Sequence, residues 1–528
     1  MFWPYANVVF ERLLPSGRLI DPQRLPLQTG ADAPHALVIG AGFGGLAAAI
    51  RLGVRGYRVT VVDRLDQAGG RARVFRQDGF VFDAGPTLVT APFLFEELWT
   101  ICGKRMEDYI DMRSVLPFYR IRFDDGDVFE YTGDAKSMEA EVAKIEPSDV
   151  DGYRRFVAKS EDIFKTGFER LAHVPFETAA DMLRVAPSMI KLESYLTVAS
   201  LVAKFIKNPK LRQVFSFHPL LVGGNPYNTT SIYTLIAFLE RKWGVWFPMG
   251  GTGALVQGMV DLIEGLGGTV RLSTDVEEIE IEAQSGSKRK AKATGIRLKG
   301  GERIAADIVV SNADSSYMYK HMIAAEHRKT WTDRKLERSD SSMSLFVWYF
   351  GTKKRYEDVA HHTILLGPRY KELLTDIFDR KILSDDFSLY LHRPTATDPG
   401  LAPEGCDGFY VLSPVPHLES GTDWSTEAER YRALISKHLS DTIMPGLEEN
   451  LVTSRVLTPQ DFKDDYLSFR GAAFGIQPKL TQSAFFRPHN ASEDIDGLYL
   501  VGAGTHPGAG MPGVLSTARV LDSIVPDP

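Results

Sequence analysis

The chain has 528 residues, 44% of them hydrophobic and 24% charged, with a formal net charge of -7. That length exceeds one simple core and points to two connected domains. The acidic balance, 61 Lys and Arg against 68 Asp and Glu, gives no electrostatic basis for nucleic-acid binding.

The two cysteines, Cys102 and Cys406, make neither a disulfide framework nor a metal-ligand spacing, so a reducing, cytoplasmic setting without a metal site is expected. Residues 1–35 carry prolines and little periodicity and read as a loosely ordered arm without a signal-peptide pattern. No stretch reaches the roughly 18 apolar residues of a spanning helix. Any membrane contact is therefore expected to be peripheral.

From residue 36 the text is ALVIGAGFGGLAAAIRLGVRGYRVTVVDR. Residues 36–39 read as a buried strand and 46–54 as a helix. Gly40, Gly42 and Gly45 make G-x-G-x-x-G at the turn between them, with Phe43 and Gly44 inside it. The first glycine allows the tight turn, the second a close approach of pyrophosphate, and the third close helix–sheet packing. The helix amides and dipole would face the phosphates. A second strand, 58–62, ends on Asp63 and Arg64, where a carboxylate can accept from ribose hydroxyls. Strand, turn, helix, strand and acid in this order predict a Rossmann-type α/β dinucleotide site.

The next segment, DRLDQAGGRARV, places Gly69, Gly70 and Arg71 where backbone and positive charge can meet a pyrophosphate. It resembles the GG-R segment of the flavin-containing amine oxidase and carotenoid desaturase superfamily. That resemblance implies FAD, and FVFDAGPT, 80–87, would be the strand and turn leading toward the flavin.

Residues 118–132 read as a hairpin with an Asp-Gly turn. Apolar helical segments follow from about 140 to 243, and strands recur at 344–350, 388–392 and 409–413. They predict an α+β half, a mixed sheet roofed by helices that could hold a long apolar tunnel. Within it, 188–215 mixes Leu, Val, Ile and Phe with Lys191, Lys204, Lys207, Lys210 and Arg212. Two readings stand: an interfacial helix pair with cations toward headgroups, or amphipathic helices packed on the domain. His218, Trp243, Trp246 and Phe247 could line the tunnel or belong to the core.

Alternating strands at 267–284 and 292–314 predict a small sheet completing the cofactor half, with 284–290 as an exposed hairpin tip. Near the far end, strand 498–501 leads into a loop with Gly502, Gly504 and Gly513, then a helix from Val514 to 524. A second glycine-rich strand–turn–helix unit predicts one site closed by both chain ends. His506 in this loop could reach the flavin or fix backbone.

The segments FSFHPLLVGGNPYNTTSIYTLI, WGVWFPMGGTGALVQGM, HHTILLGPRY, LTQSAFFRPHN and YLVGAGTHPGAGMPGV resemble bacterial-type phytoene desaturases, with likeness from about residue 36 almost to the end. One departure is Asp63, where many of the superfamily carry Glu. The resemblance implies a flavin amine oxidase-like fold: an FAD domain of 36–110, 244–315 and 481–528, and a substrate and membrane-facing domain of 111–243 and 316–480. It implies that Val276 meets the adenine end through its backbone, and that phytoene is desaturated to a more conjugated carotene such as lycopene. It also implies that Asp181 acts near the reacting carbons, with Arg184 pairing at i,i+3. A carboxylate in an apolar tunnel would have a raised pKa, whereas a plain capping acid would not. Other flavin oxidoreductases, namely a carotenoid isomerase, a later-step desaturase or an amine oxidase, and a non-redox prenyl-lipid carrier are the alternatives. Bound FAD separates the carrier from the enzymes.

Overall fold

ALVI and RVTVV are apolar on both faces, as strands covered by helices on both sides must be. They lie side by side in a five-stranded parallel sheet in the order Leu498–Leu500, Ile308–Ser311, His35–Ile39, Arg58–Val62, Thr269–Arg271. The structure, a computed structural model, describes residues 32–283 and 291–528; the expected arm over 1–31 and the hairpin tip at 284–290 lie outside the described residues. A second sheet pairs Val276–Glu282, Ala291–Leu298 and Arg303–Ala305 antiparallel, with Ile495–Asp496 alongside.

Parallel strands need crossovers, and the one between His35–Ile39 and Arg58–Val62 is the helix Phe43–Arg55, buried through most of its length. It starts ahead of the expected boundary because Gly42, extended at its N-cap, already closes the turn. The C-terminal helix, Met511–Ile524, packs beside it and also begins early: Gly510 takes a φ of +90° at the N-cap and Pro512 sits in the first turn, where its missing N–H costs nothing.

The contact between these two helices contains a buried ion cluster. Arg51 donates to Glu97 Oε1 at 2.7 Å and to Asp522 Oδ2 at 2.6 Å, and Arg519 Nε lies 3.4 Å from Glu97 Oε2. Burial alone would raise the Glu97 pKa, but Arg51 and Arg519 more than offset this and hold it below the usual carboxylate range.

The other half is built on a seven-stranded mixed sheet in the order Leu451–Leu457, Ser344–Thr352, Asp407–Val415, Leu389–His392, His362–Leu366, Tyr119–Phe123, Val128–Tyr131. The helices Val150–Phe164, Ala179–Lys191 and Leu235–Trp243 belong to the roofing set expected from 140–243. Among the described residues no helix is long and apolar enough to cross a membrane.

Removing one member of a buried ion cluster leaves uncompensated charge. Glu97→Ala takes one of two carboxylate partners from Arg51 and the nearby carboxylate from Arg519, and is expected to lower unfolding stability by about 3–5 kcal/mol, read as a fall in Tm in thermal melts.

Candidate functional site

Four strands of the parallel sheet end at one cleft, each with a residue facing it one or two positions beyond its end: Gly40, Asp63, Asn312 and Gly502. Ligands of open α/β sheets bind in this crevice beyond the carboxyl ends of the strands. The backbone there is crowded. A methyl group at Gly44 would lie 2.7 Å from Asn312 Oδ1 and 3.0 Å from the Gly502 nitrogen, and one at Gly42 would lie 2.9 Å from Asn312 Nδ2. Gly69 donates to the Ala41 carbonyl at 2.8 Å, drawing the GG-R loop onto the same turn.

Asp63 accepts from the Ala41 amide at 2.6 Å and the Leu65 amide at 2.9 Å. Burial pushes its pKa up while these amides pull it down. Arg64 donates to the carbonyl oxygens of Asp464 and Asp465 and lies 3.7 Å from Asp275, tying the cleft wall to the other half. Arg71 donates to Ser468 at 2.8 Å, while its Nε is buried without a hydrogen-bond partner. Burial holds its pKa below the ordinary guanidinium value, with the Asp314 carboxylate acting the other way.

These features fit FAD: glycine backbone free of Cβ atoms, an uncapped helix start at Phe43, and a buried guanidinium nitrogen with an unused donor. Gly40, Gly42, Phe43, Gly44, Asp63, Arg64, Gly69, Gly70, Arg71, Val276, Gly502, Gly513 and Val514 all line the cleft. Two expected contacts do not. Gly45 faces the Gly40 carbonyl and Gly504 faces Ser315, so both serve close backbone packing.

The cleft continues without a break into the substrate half as a cavity of about 540 Å³. Its floor uses alternate residues of the seven-stranded sheet: Leu345 and Val347, Ile364 and Leu366, Leu412 and Pro414, as the period of two requires. Its roof includes Leu235, Ile236 and Leu239 from one helix and Met182, Val185 and Met189 from another.

Polar groups are confined to a few places in this wall. Glu240 is fully buried and accepts from Tyr119 Oη at 2.6 Å, with His218 Nε2 3.3 Å from its other oxygen. Thr87, Tyr390 and Tyr410 form a hydroxyl cluster.

Asp181 does not line the cavity, and its pKa moves opposite to the expected rise. Its Oδ2 accepts from the Thr178 hydroxyl at 2.8 Å and amide at 2.9 Å in a capping box, and Oδ1 accepts from Arg184 at 3.1 Å. The Thr178 hydrogen bonds, then Arg184, hold the carboxyl below its ordinary value, and Arg184 itself points to solvent. His506 lines the cavity but its Nε2 is fixed on the Leu171 carbonyl at 3.0 Å, and burial lowers its pKa to about 4. His218, Trp243, Trp246 and Phe247 lie in packed clusters off the cavity: Trp243 against Phe93, Phe247 against His361.

Two of the cations expected to face headgroups in 188–215 have carboxylate partners. Lys204 pairs with Glu193 and Lys210 with Asp125 and Asp127. Val198–Ala203 and Pro209–Ser216 bury their apolar faces on the domain.

Asn312, which Gly40, Gly42, Gly44, Gly45 and Gly502 surround, escaped the sequence reading. Its signal was a polar side chain directly after a fully buried strand, in SNAD.

Residues 43–520 match the family described as flavin containing amine oxidoreductase. The lycopene-forming phytoene desaturase of Pseudescherichia vulneris is 50% identical, over 93% of this chain and 98% of that protein. The neurosporene-forming phytoene desaturase of Rhodobacter capsulatus is 47% identical, over 93% of this chain and 94% of that protein. Among solved structures, a putrescine oxidase bound to putrescine shares the fold with a TM-score of 0.64 at 13% identity, over 94% of this chain and 99% of that one.

Gly44→Ala forces a methyl group against both Asn312 and the Gly502 backbone. Overpacking of about 1–3 kcal/mol is expected to weaken FAD binding by tenfold or more, measured by flavin absorption after gel filtration and by titration of the apoprotein.

Proposed function

Since the chain belongs to the flavin containing amine oxidoreductase family, and within it to the bacterial-type phytoene desaturases, we propose that it desaturates phytoene with FAD, ending at lycopene. The observation that carries this reading is the continuity of the glycine-lined cleft with an apolar cavity between sheet and helices. Bound FAD supplies a hydride acceptor. Gly40, Gly42, Gly44 and Gly502, with Arg71 beside them, would hold its diphosphate end.

The protein's share of the chemistry is positional. A C40 polyene offers no polar handle, so Leu345, Val347, Ile364 and Leu366 below and Met182, Val185 and Met189 above fix it by shape alone. Dry apolar walls also keep water from competing for an electron-deficient polyene. Asp181 acts at one remove: its capping box sets the helix whose next residue, Met182, faces the cavity.

Substrate dissolved in a bilayer requires a peripheral contact, and the helix Ala179–Lys191 supports one. None of its residues is buried, and it presents Leu183 and Ile190 to the outside at 74% and 66% exposure, with Tyr195 beyond it at 62%. Phe486, 46% exposed, and Leu480 at 42% lie on the neighbouring segment. Leu480, Ala484 and Met189 also line the cavity. The outer face of this helix therefore meets lipid while its inner face borders the tunnel mouth.

Apoprotein reconstituted with FAD and liposomes containing phytoene is expected to yield lycopene, identified by absorption spectrum and chromatography; colourless liposomes after prolonged incubation defeat the reading. Asp181→Ala loses a cap of about 1 kcal/mol and is expected to raise KM with kcat largely kept. A collapse of kcat alone would instead make the carboxylate a reacting group. The wild type is expected to co-sediment with liposomes. Leu183→Glu with Ile190→Glu forfeits about 1.5–3 kcal/mol of apolar burial per site and should leave the protein in the supernatant.

A further inference from the structure

Each double bond formed leaves one proton in the cavity, and the wall that could receive it is almost entirely apolar. Besides Glu240 with Tyr119 and His218, a connected set of polar side chains leads away from it. Tyr410 Oη donates to the Gly85 carbonyl at 3.1 Å; Thr87 Oγ1 lies 2.7 Å from Tyr410 Oη and 3.3 Å from Tyr390 Oη. Gly85 and Thr87 continue the cleft wall from Arg71, whose carbonyl Gly85 abuts. Half-buried Tyr390 lines the cavity, and its hydroxyl is 2.7 Å from His362 Nδ1.

Behind Tyr390 lie three buried histidines. The antiparallel register sets His362 opposite His392, with Nδ1 to Nδ1 at 3.3 Å. His361 adjoins both, with ring centroids 4.4 Å from His362 and 4.9 Å from His392. Its Nδ1 is 2.6 Å from Thr397 Oγ1 on a half-buried loop. The Nε2 atoms of all three are buried without a hydrogen-bond partner. Burial holds all three below the usual imidazole range, His361 at about 3. The rings are therefore neutral, each with one accepting nitrogen, and a proton placed on them is readily passed on.

We propose that Tyr390, with His361, His362 and His392 behind it, is the proton-accepting site of the reaction. This rests on the desaturation reading above. As hydride leaves one carbon for the flavin, the C–H electron pair on the adjacent carbon becomes the new C=C bond. Its proton passes to the Tyr390 oxygen while the tyrosine's own hydroxyl proton moves to His362 Nδ1. The proton is held on His362 Nδ1, 3.3 Å from His392 Nδ1, until it is released to water. The depressed basicity of the histidines returns them to the neutral form before the next double bond is made.

The test compares wild type, Tyr390→Phe and His362→Gln, all FAD-loaded, in single turnovers with phytoene in liposomes. Both variants are expected to keep wild-type flavin content and Tm but to lose about 100-fold in the rate of flavin bleaching. The wild-type rate should show a normal solvent deuterium isotope effect that Tyr390→Phe abolishes. A Tyr390→Phe enzyme with an undiminished rate, or a slowed one that keeps the isotope effect, overturns the proposal. So does a stoichiometric metal found by elemental analysis in wild type and lost in His362→Gln, since it would occupy the accepting nitrogens. Should His362→Gln fail to fold, Tyr390→Phe decides, because it removes a single oxygen. A wild type that cannot oxidise phytoene at all defeats the desaturation reading instead.

Discussion

The architecture depends on a backbone approach too close for any side chain. At Gly44 a single methyl group would press on Asn312 and on the Gly502 backbone together. Three segments separated by hundreds of residues meet there, each at the end of a parallel strand. Strand pairing aligns them, and the ion cluster of Arg51, Glu97, Asp522 and Arg519 locks the two following helices in that alignment. Such a cluster adds little net stability compared with apolar packing, but it tolerates few alternative arrangements. Its value here is registration of the two helix starts around the cofactor.

From that junction the character of the wall changes sharply. Guanidinium and carboxylate groups line the glycine-rich end of the cleft, with Asp63, Arg64 and Arg71 all tied to backbone or side-chain partners. Further in, the lining becomes Leu, Ile, Val and Met, and several of the remaining polar groups are paired with one another, Glu240 with Tyr119 and Tyr390 with His362. Unpaired polar groups in such a medium carry a large desolvation cost. The network from Thr87 to His362 avoids most of it by internal hydrogen bonding and stays available at the cavity edge.

Local chemistry was legible from the sequence and partner choice was not. The strand–glycine–helix unit at 36–63 and the C-terminal glycine loop announce themselves because turn geometry depends on adjacent residues, and the alternating strands of the second half do so through their period of two. Asp181 shows the limit: its pKa depends on whether Thr178 or an apolar wall surrounds it, and both readings fit the same letters. The lysines of 188–215 were visible as a basic stripe, yet Asp125 and Asp127, far back in the chain, claim Lys210. His362 and His392 become neighbours only through antiparallel register, which no window of sequence contains.

The strand Leu498–Leu500 completes the parallel sheet at its edge by pairing with Ile308–Ser311. A ribosome must therefore have released the chain past Gly502 before the cleft can close, because Gly502 is one of its walls. Until then the nascent chain carries an open sheet edge and an uncovered greasy trough, both prone to aggregation. Pairing over so long a sequence separation is also slow. A ligand that binds only the closed cleft would turn a late and reversible closure into a lasting one.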